Sequence, residues 1–175
     1  MELIKEALTF DDVLLLPRYS TIIPSQTDLR TDLSSSIRLD VPFLSSAMDT
    51  VTESKMAIEI AKNGGLGIVH RNLSIKEQCL EIKKVKKLNY KVGAAVGTSP
   101  SEYIRAKKLI NTGVNLIVID TAHGHSKNVL DMTTKIKKIA KKIPLCVGNI
   151  ATAEAATAIY NSGADILKVG IGPGS

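Results

Sequence analysis

The chain of 175 residues contains no tryptophan, two phenylalanines and four tyrosines, so aromatics make up 3% of it. Proteins that bind single-stranded nucleic acid stack bases on such rings, and their scarcity argues against that class of partner. Cysteine is equally sparse. Cys79 and Cys146 sit inside apolar periodic stretches and share no metal-ligand spacing with each other or with His70, His123 and His125, so both read as buried core residues rather than ligands or nucleophiles. No apolar run approaches the ~18 residues that span a bilayer. The opening Met1-Glu2-Leu3-Ile4-Lys5-Glu6 lacks the basic-then-apolar order of a signal peptide, and the expectation is a cytoplasmic protein with no membrane contact.

What is present is a globular composition, 44% hydrophobic at 18.8 kDa, enough for one domain with a sizeable core. The net charge of +6 suits an anionic ligand, yet its lysines concentrate in the pairs Lys83-Lys84, Lys86-Lys87, Lys137-Lys138 and Lys141-Lys142. Each pair lies on a helical pattern with an apolar face opposite, which makes these solvated helix surfaces rather than a nucleic-acid patch.

Six short apolar runs, at 42–46, 66–70, 92–96, 116–120, 145–148 and 166–169, read as buried strands. Helical patterns separate them. Thr50 with Glu53, Ser74 with Glu77 and Ser99 with Glu102 fit the capping box, in which a hydroxyl and a carboxylate three positions apart satisfy each other's backbone N–H groups. Pro100 adds a favourable first helical residue, and Ser126 and Thr152 read as simpler caps. Between about 127 and 142, Val129, Met132, Ile136, Ile139 and Ile143 recur by three and four along one helical face. Three helix-to-strand junctions repeat an asparagine followed by glycine, at Asn63-Gly64, Asn111-Thr112-Gly113 and Asn161-Ser162-Gly163, as a left-handed C-cap requires.

Strict alternation of strand and helix with short links implies parallel strands and right-handed crossovers, in an open doubly wound sheet or a (β/α) barrel. In both, ligands meet the loops after strand C-termini. Ser45-Ser46 and Asp49, His70, Asp120 with His123, Asn149, and residues 170–175 all fall there. Candidates spread over most strands favour a barrel, whose loops share one mouth. Asp120 can accept from a ribose hydroxyl pair, orient a cationic ring or cap its own turn. Asn149 offers a donor and an acceptor, and Met48 gives a soft apolar surface for a planar base. His123 and His125 need not converge on a metal. The closing Gly170-Ile171-Gly172-Pro173-Gly174-Ser175 lacks the lysine of a phosphate-binding P-loop and the spacing of the dinucleotide fingerprint, but its backbone can serve a phosphate or a cation.

Taken together, Leu8-Thr9-Phe10-Asp11-Asp12-Val13, the run from Ser45 to Glu53, Gly65-Leu66-Gly67-Ile68-Val69-His70, Asp120-Thr121-Ala122-His123-Gly124-His125-Ser126, Gly148-Asn149 and the stretch from Lys168 to Ser175 resemble inosine 5′-monophosphate dehydrogenases along the whole chain. The resemblance implies a TIM (β/α)8 barrel, of which these residues supply the N-terminal portion with six strands. It implies a homotetramer that oxidises inosine monophosphate to xanthosine monophosphate with NAD and is activated by a potassium ion. By matching motif, Ser46, Met48 and Ser175 would contact the substrate nucleotide. Asp120, Thr121, Ala122, Asn149, Lys168 and Gly170 would line the cofactor side, and the carbonyls of Gly172 and Gly174 would ligate potassium.

Two departures stand out. The regulatory CBS pair that most members carry after the second helix is missing, since 86–91 runs almost directly into the third strand. The catalytic cysteine of the family falls two positions beyond Ser175, and neither Cys79 nor Cys146 is placed to replace it. Six strands would leave two open edges and an unfilled interior, so the segment is expected to need the remaining barrel or to aggregate. A guanosine monophosphate reductase shares the barrel and the Gly-Pro-Gly-Ser turn and is the enzymatic alternative. A non-catalytic fragment that binds nucleotide or assembles with partner chains is the other.

Overall fold

A computed structural model of the chain describes residue 8 and residues 10–171. A two-stranded antiparallel hairpin comes first, β1 (Thr31–Ser34) with β2 (Ile37–Leu39). It is followed by strictly alternating units: β3 (Leu44–Ser45), α1 (Ser54–Lys62), β4 (Leu66–Val69), α2 (Ile75–Lys86), β5 (Gly93–Val96), α3 (Pro100–Thr112), β6 (Leu116–Asp120), α4 (Lys127–Ile139), β7 (Leu145–Ile150), α5 (Ala153–Asn161) and β8 (Ile166–Val169). The last six strands are all parallel and lie in sequence order. Strands whose order in the sheet follows their order in sequence, each linked to the next by a helix, curl as a partial TIM barrel. The six strands expected from sequence are all present, within two residues at each end.

The pleat divides the core in two. Outward residues of the strands, Val69, Ala94, Val96, Ile117, Ile119, Leu145 and Val147, meet Ile82, Leu109, Val129, Met132, Ile136 and Ile159 of the helices in one fully buried cluster. Inward residues Leu66, Ile68, Ala95, Leu116, Val118 and Cys146 form a second, smaller cluster with Ile37 and Leu39 of the hairpin. The interior is therefore not simply unfilled, as the sequence suggested. The hairpin lays two side chains, each at most 3% exposed, against the inner face. Its strands of four and three residues are too short to show a period.

The junction glycines behave as their positions require. Gly64, Gly113 and Gly163 have φ of +86°, +89° and +104°, each just past a helix where a residue with a Cβ would be strained. The caps divide. Ser74 and Glu77 form the full capping box, with Glu77 N to Ser74 Oγ at 3.2 Å and Ser74 N to Glu77 Oε2 at 2.9 Å, and Thr152 Oγ1 accepts from Ala155 N. Thr50 caps nothing, because α1 starts at Ser54, whose N–H is taken instead by Glu81 Oε2 of α2 at 2.8 Å. Ser99 and Ser126 occupy N-cap positions without a side-chain cap bond. Glu102 is turned away from Ser99 because Gly97 N donates to it at 2.6 Å and Arg105 Nε at 2.9 Å.

Candidate active site

Alternation carries chemistry to the C-terminal end of the inner face. On β6 Leu116 and Val118 point inward, so Asp120 does as well. On β8 Ile166 faces in, and so does Lys168. Gly148 of β7 lies between them, paired with Asp120 on one side and Lys168 on the other. A Cβ on Gly148 would fall against the Lys168 carbonyl and 2.6 Å from its Cβ. With no side chain in the way, Lys168 reaches across the strand, its Nζ 2.6 Å from Asp120 Oδ1. The pair is partly solvated, at 42% and 27% side-chain exposure, and so contributes at most about 1 kcal/mol to stability. Its effect is to aim one carboxylate oxygen and leave the other for a ligand.

The next loop is tied to this pair by backbone. Asn149 N donates to Thr121 O at 2.8 Å, Thr121 N and Oγ1 both donate to Gly148 O, and Gly124 N donates to Asn149 O at 2.7 Å. A side chain on Gly124 would strike that carbonyl at 2.8 Å, so glycine is what lets the two loops close together. The Gly148–Asn149 peptide is cis. Asn149 Oδ1 is buried with no hydrogen-bond partner, a costly state that a ligand N–H would relieve.

A cleft of about 390 Å³ opens at this end, lined by Ala47, Met48, Asp49, His70, Arg71, Asn72 and Asp120. It joins the loops after β3, β4 and β6. His70, 3% exposed, accepts from Asn72 N through Nδ1 at 3.1 Å, which assigns its ring proton to Nε2. That nitrogen lies 3.5 Å from Glu53 Oε1 and has no hydrogen bond. Asn72 Nδ2 donates to Asp49 Oδ2 at 3.0 Å and fixes the first loop to the second. A second cavity of about 330 Å³ extends inward, lined mainly by apolar side chains together with Ser45, Ser46, Cys146 and Lys168. Buried there, the Cys146 thiol is pushed up to about 12, with Lys168 opposing and Asp120 adding to the shift. Burial that disfavours the thiolate argues against this sulfur as a nucleophile.

Of the residues expected from sequence, Met48 and Asp120 share the open cleft, Ser46 and Lys168 the inner cavity, and the Asp120–Lys168 contact links the two. Thr121 and Asn149 are joined by backbone. Ala122 is exposed on the rim, while Gly170 has φ of +122° and donates its N–H to Ile150 O at 2.8 Å. Gly172, Gly174 and Ser175 lie outside the described residues. Among the described residues no cluster of three His, Cys, Asp or Glu side chains could hold a metal. No described helix is long and apolar enough to cross a membrane. Sequence reasoning overlooked Arg71 and Asn72, although their place directly after a strand-ending His70 was the available signal.

The chain is similar to known proteins along nearly all of its length. Residues 7–175 match the family model described as IMP dehydrogenase / GMP reductase domain. The chain is 42% identical over 221 aligned residues to an inosine-5′-monophosphate dehydrogenase of Borreliella burgdorferi, covering 98% of this chain and 55% of that protein. It is 32% identical over 298 aligned residues to proteins of the same name from Staphylococcus saprophyticus and Staphylococcus aureus, covering 98% of this chain and 61% of each. It thus spans little more than half the length of these relatives. With a family model matched along nearly all of it, the chain belongs to the IMP dehydrogenase / GMP reductase family.

Proposed function

We propose that these residues are the N-terminal portion of a (β/α)8 barrel without a CBS insert which, in the complete polypeptide, oxidises inosine monophosphate to xanthosine monophosphate with NAD. The observation that carries the reading is the inward Asp120 at the end of β6, aimed by Lys168 across Gly148 and set beside the buried, unpartnered Asn149 Oδ1. That arrangement suits a nicotinamide riboside. A carboxylate accepts from paired ribose hydroxyls, and an orphaned amide oxygen accepts from a carboxamide.

When bound, the nicotinamide supplies the hydride acceptor. The chain's own groups do the rest on this side of the mouth. Asp120, Thr121, Ala122, Asn149, Lys168 and Gly170 orient the dinucleotide, whereas Ser46 and Met48 seat the purine nucleotide and Ser175 its phosphate. The carbonyls of Gly172 and Gly174 are proposed as potassium ligands, hard oxygen donors suited to that ion. The nucleophile of the reading is a cysteine beyond Ser175. Its thiolate would bond to C2 of the purine and later leave as water takes its place, while a nicotinamide held by Asp120, Thr121, Asn149 and Lys168 would accept the hydride from C2.

Assembly belongs to the proposal as well. β3 and β8 end the sheet with open edges among the described residues, and Leu14, Leu15, Leu16 and Tyr19 are 84–97% exposed in a segment without regular secondary structure. Surfaces of this kind need covering by the rest of the barrel and by neighbouring subunits of a homotetramer. NADH formation from inosine monophosphate tests the activity. NADPH-dependent deamination of guanosine monophosphate in its place would make the protein a reductase, and an intact mass of 18.8 kDa with no turnover and no companion fragment would make it an inert piece.

A further inference from the structure

Behind the cleft wall, on the outer side of β4 and β5, lies a buried polar relay that the activity does not account for. Gln78, fully buried on α2, donates through Nε2 to Val69 O at 3.3 Å and Ala95 O at 2.9 Å, bridging two adjacent strands near their C-terminal ends. Its Oε1 accepts from Arg105 Nη1 at 2.9 Å, and the same Nη1 donates to Leu73 O at 3.0 Å. Arg105 Nε donates to Glu102 Oε1 at 2.9 Å, and Glu102 Oε2 accepts from Gly97 N at 2.6 Å. Glu102 and Arg105 are each 8% exposed. A buried ion pair is poor value as a source of stability, since apolar residues of like volume do as well. What distinguishes this one is where its ends land, on Leu73 of the β4–α2 loop and Gly97 of the β5–α3 loop.

Those two segments hold one exposed cation between them. Arg71 lines the cleft with Asp120, and its guanidinium lies over Gly97, where a Cβ would come within 3.3 Å of Cζ and Nη1. Arg71 has no ion-pair partner among the described residues. A planar guanidinium, always charged and presenting a fork of donors, matches phosphate oxygens.

Building on the dehydrogenase reading, we propose that Arg71 receives the pyrophosphate of the dinucleotide, and that Gln78, Glu102 and Arg105 are positioning residues that fix the two rim loops holding it. Arg71 is assigned to the cofactor because it shares its cleft with Asp120. The substrate phosphate is proposed to sit at Ser175.

Calorimetric titration of the complete polypeptide with NAD⁺ and with nicotinamide riboside, which lacks the pyrophosphate, tests this without turnover. Arg71→Ala is expected to weaken NAD⁺ by about 10-fold or more, the scale of a charge-assisted hydrogen bond, and to leave nicotinamide riboside unchanged. Glu102→Gln is expected to weaken NAD⁺ in the Arg71 background but not in Arg71→Ala, a non-additivity that a purely structural role would not produce. The proposal is overturned if Arg71→Ala weakens both ligands alike, or if its effect is confined to inosine monophosphate over inosine. It is also overturned by additive Glu102 and Arg71 effects. Failure of the parent reading shows separately, as a wild-type protein that binds no NAD⁺. Failure of this one shows as a wild type that binds NAD⁺ and an Arg71→Ala variant that binds it equally well.

Discussion

The two faces of one sheet make opposite use of the same strands. Outward positions carry Val, Ile and Leu that are fully buried against five helices, and polar groups behind that face are joined in a closed relay. Inward positions carry the smaller cluster of Leu66, Ile68, Leu116, Val118 and Cys146, then Asp120 and Lys168 at the mouth, beside which His70 Nε2 and Asn149 Oδ1 are left unpartnered. At the mouth, stability and chemistry are thus assigned to alternate residues of β6 and β8. Changing one residue therefore tests one property with the other as its control.

The largest effect is expected on the outer face. Ile119→Ala removes a fully buried side chain and should cost about 2–5 kcal/mol in urea unfolding of the complete polypeptide, whereas Ile166→Ala, half-buried on the inner face, should cost clearly less. Equal losses would erase the distinction. Next, Asp120→Asn should slow NADH formation by about 100-fold through lost alignment while moving the unfolding midpoint little. A parallel fall in stability would mean the carboxylate is structural.

Cys146 supplies a pH test confined to the inner face. Its folded-state thiol is raised to about 12, above an unfolded value near 8.5. The stability it contributes is therefore complete below that value and is lost as pH rises through the interval, by at most about 1.4 kcal/mol per pH unit. Urea midpoints should fall between pH 9 and 11 in the wild type and fall less in Cys146→Ala. A matching decline in both would remove the cysteine from the explanation. The smallest contrast separates two serines that look alike in sequence. Ser74→Ala, which breaks a capping box, should cost about 1 kcal/mol, and Ser99→Ala, which breaks no cap bond, should fall within about 0.5 kcal/mol of wild type.

That contrast shows where the sequence was legible. Strand and helix order, the glycine junctions, the lysine-rich exterior of α4 and the polar ends of strands could all be read, because each follows from local periodicity or backbone geometry. Ser74 with Glu77 was legible for the same reason. Ser99 with Glu102 was misread because Glu102 is claimed by Gly97 N and by Arg105, competitors that only the folded arrangement brings near. Thr50 was misread because the cap of α1 comes from Glu81, 27 residues past Ser54. At the site, Asp120 and Asn149 were visible as strand-end polar residues. The reach of Lys168 over Gly148 was not, because it depends on the register of three strands at once.

The β1–β2 hairpin also fixes an order of events. Among the described residues β1 and β2 pair with each other alone, and Ile37 and Leu39 find their buried neighbours on strands that begin at Leu66 and extend to Cys146. Closing loops of that length has an entropic cost, met only once the strands are in place. The hairpin leaves the ribosome before the surface it docks on exists, so it is early in synthesis and late in assembly. Pulsed hydrogen exchange during refolding should show β6 and β7 protected before residues 31–39.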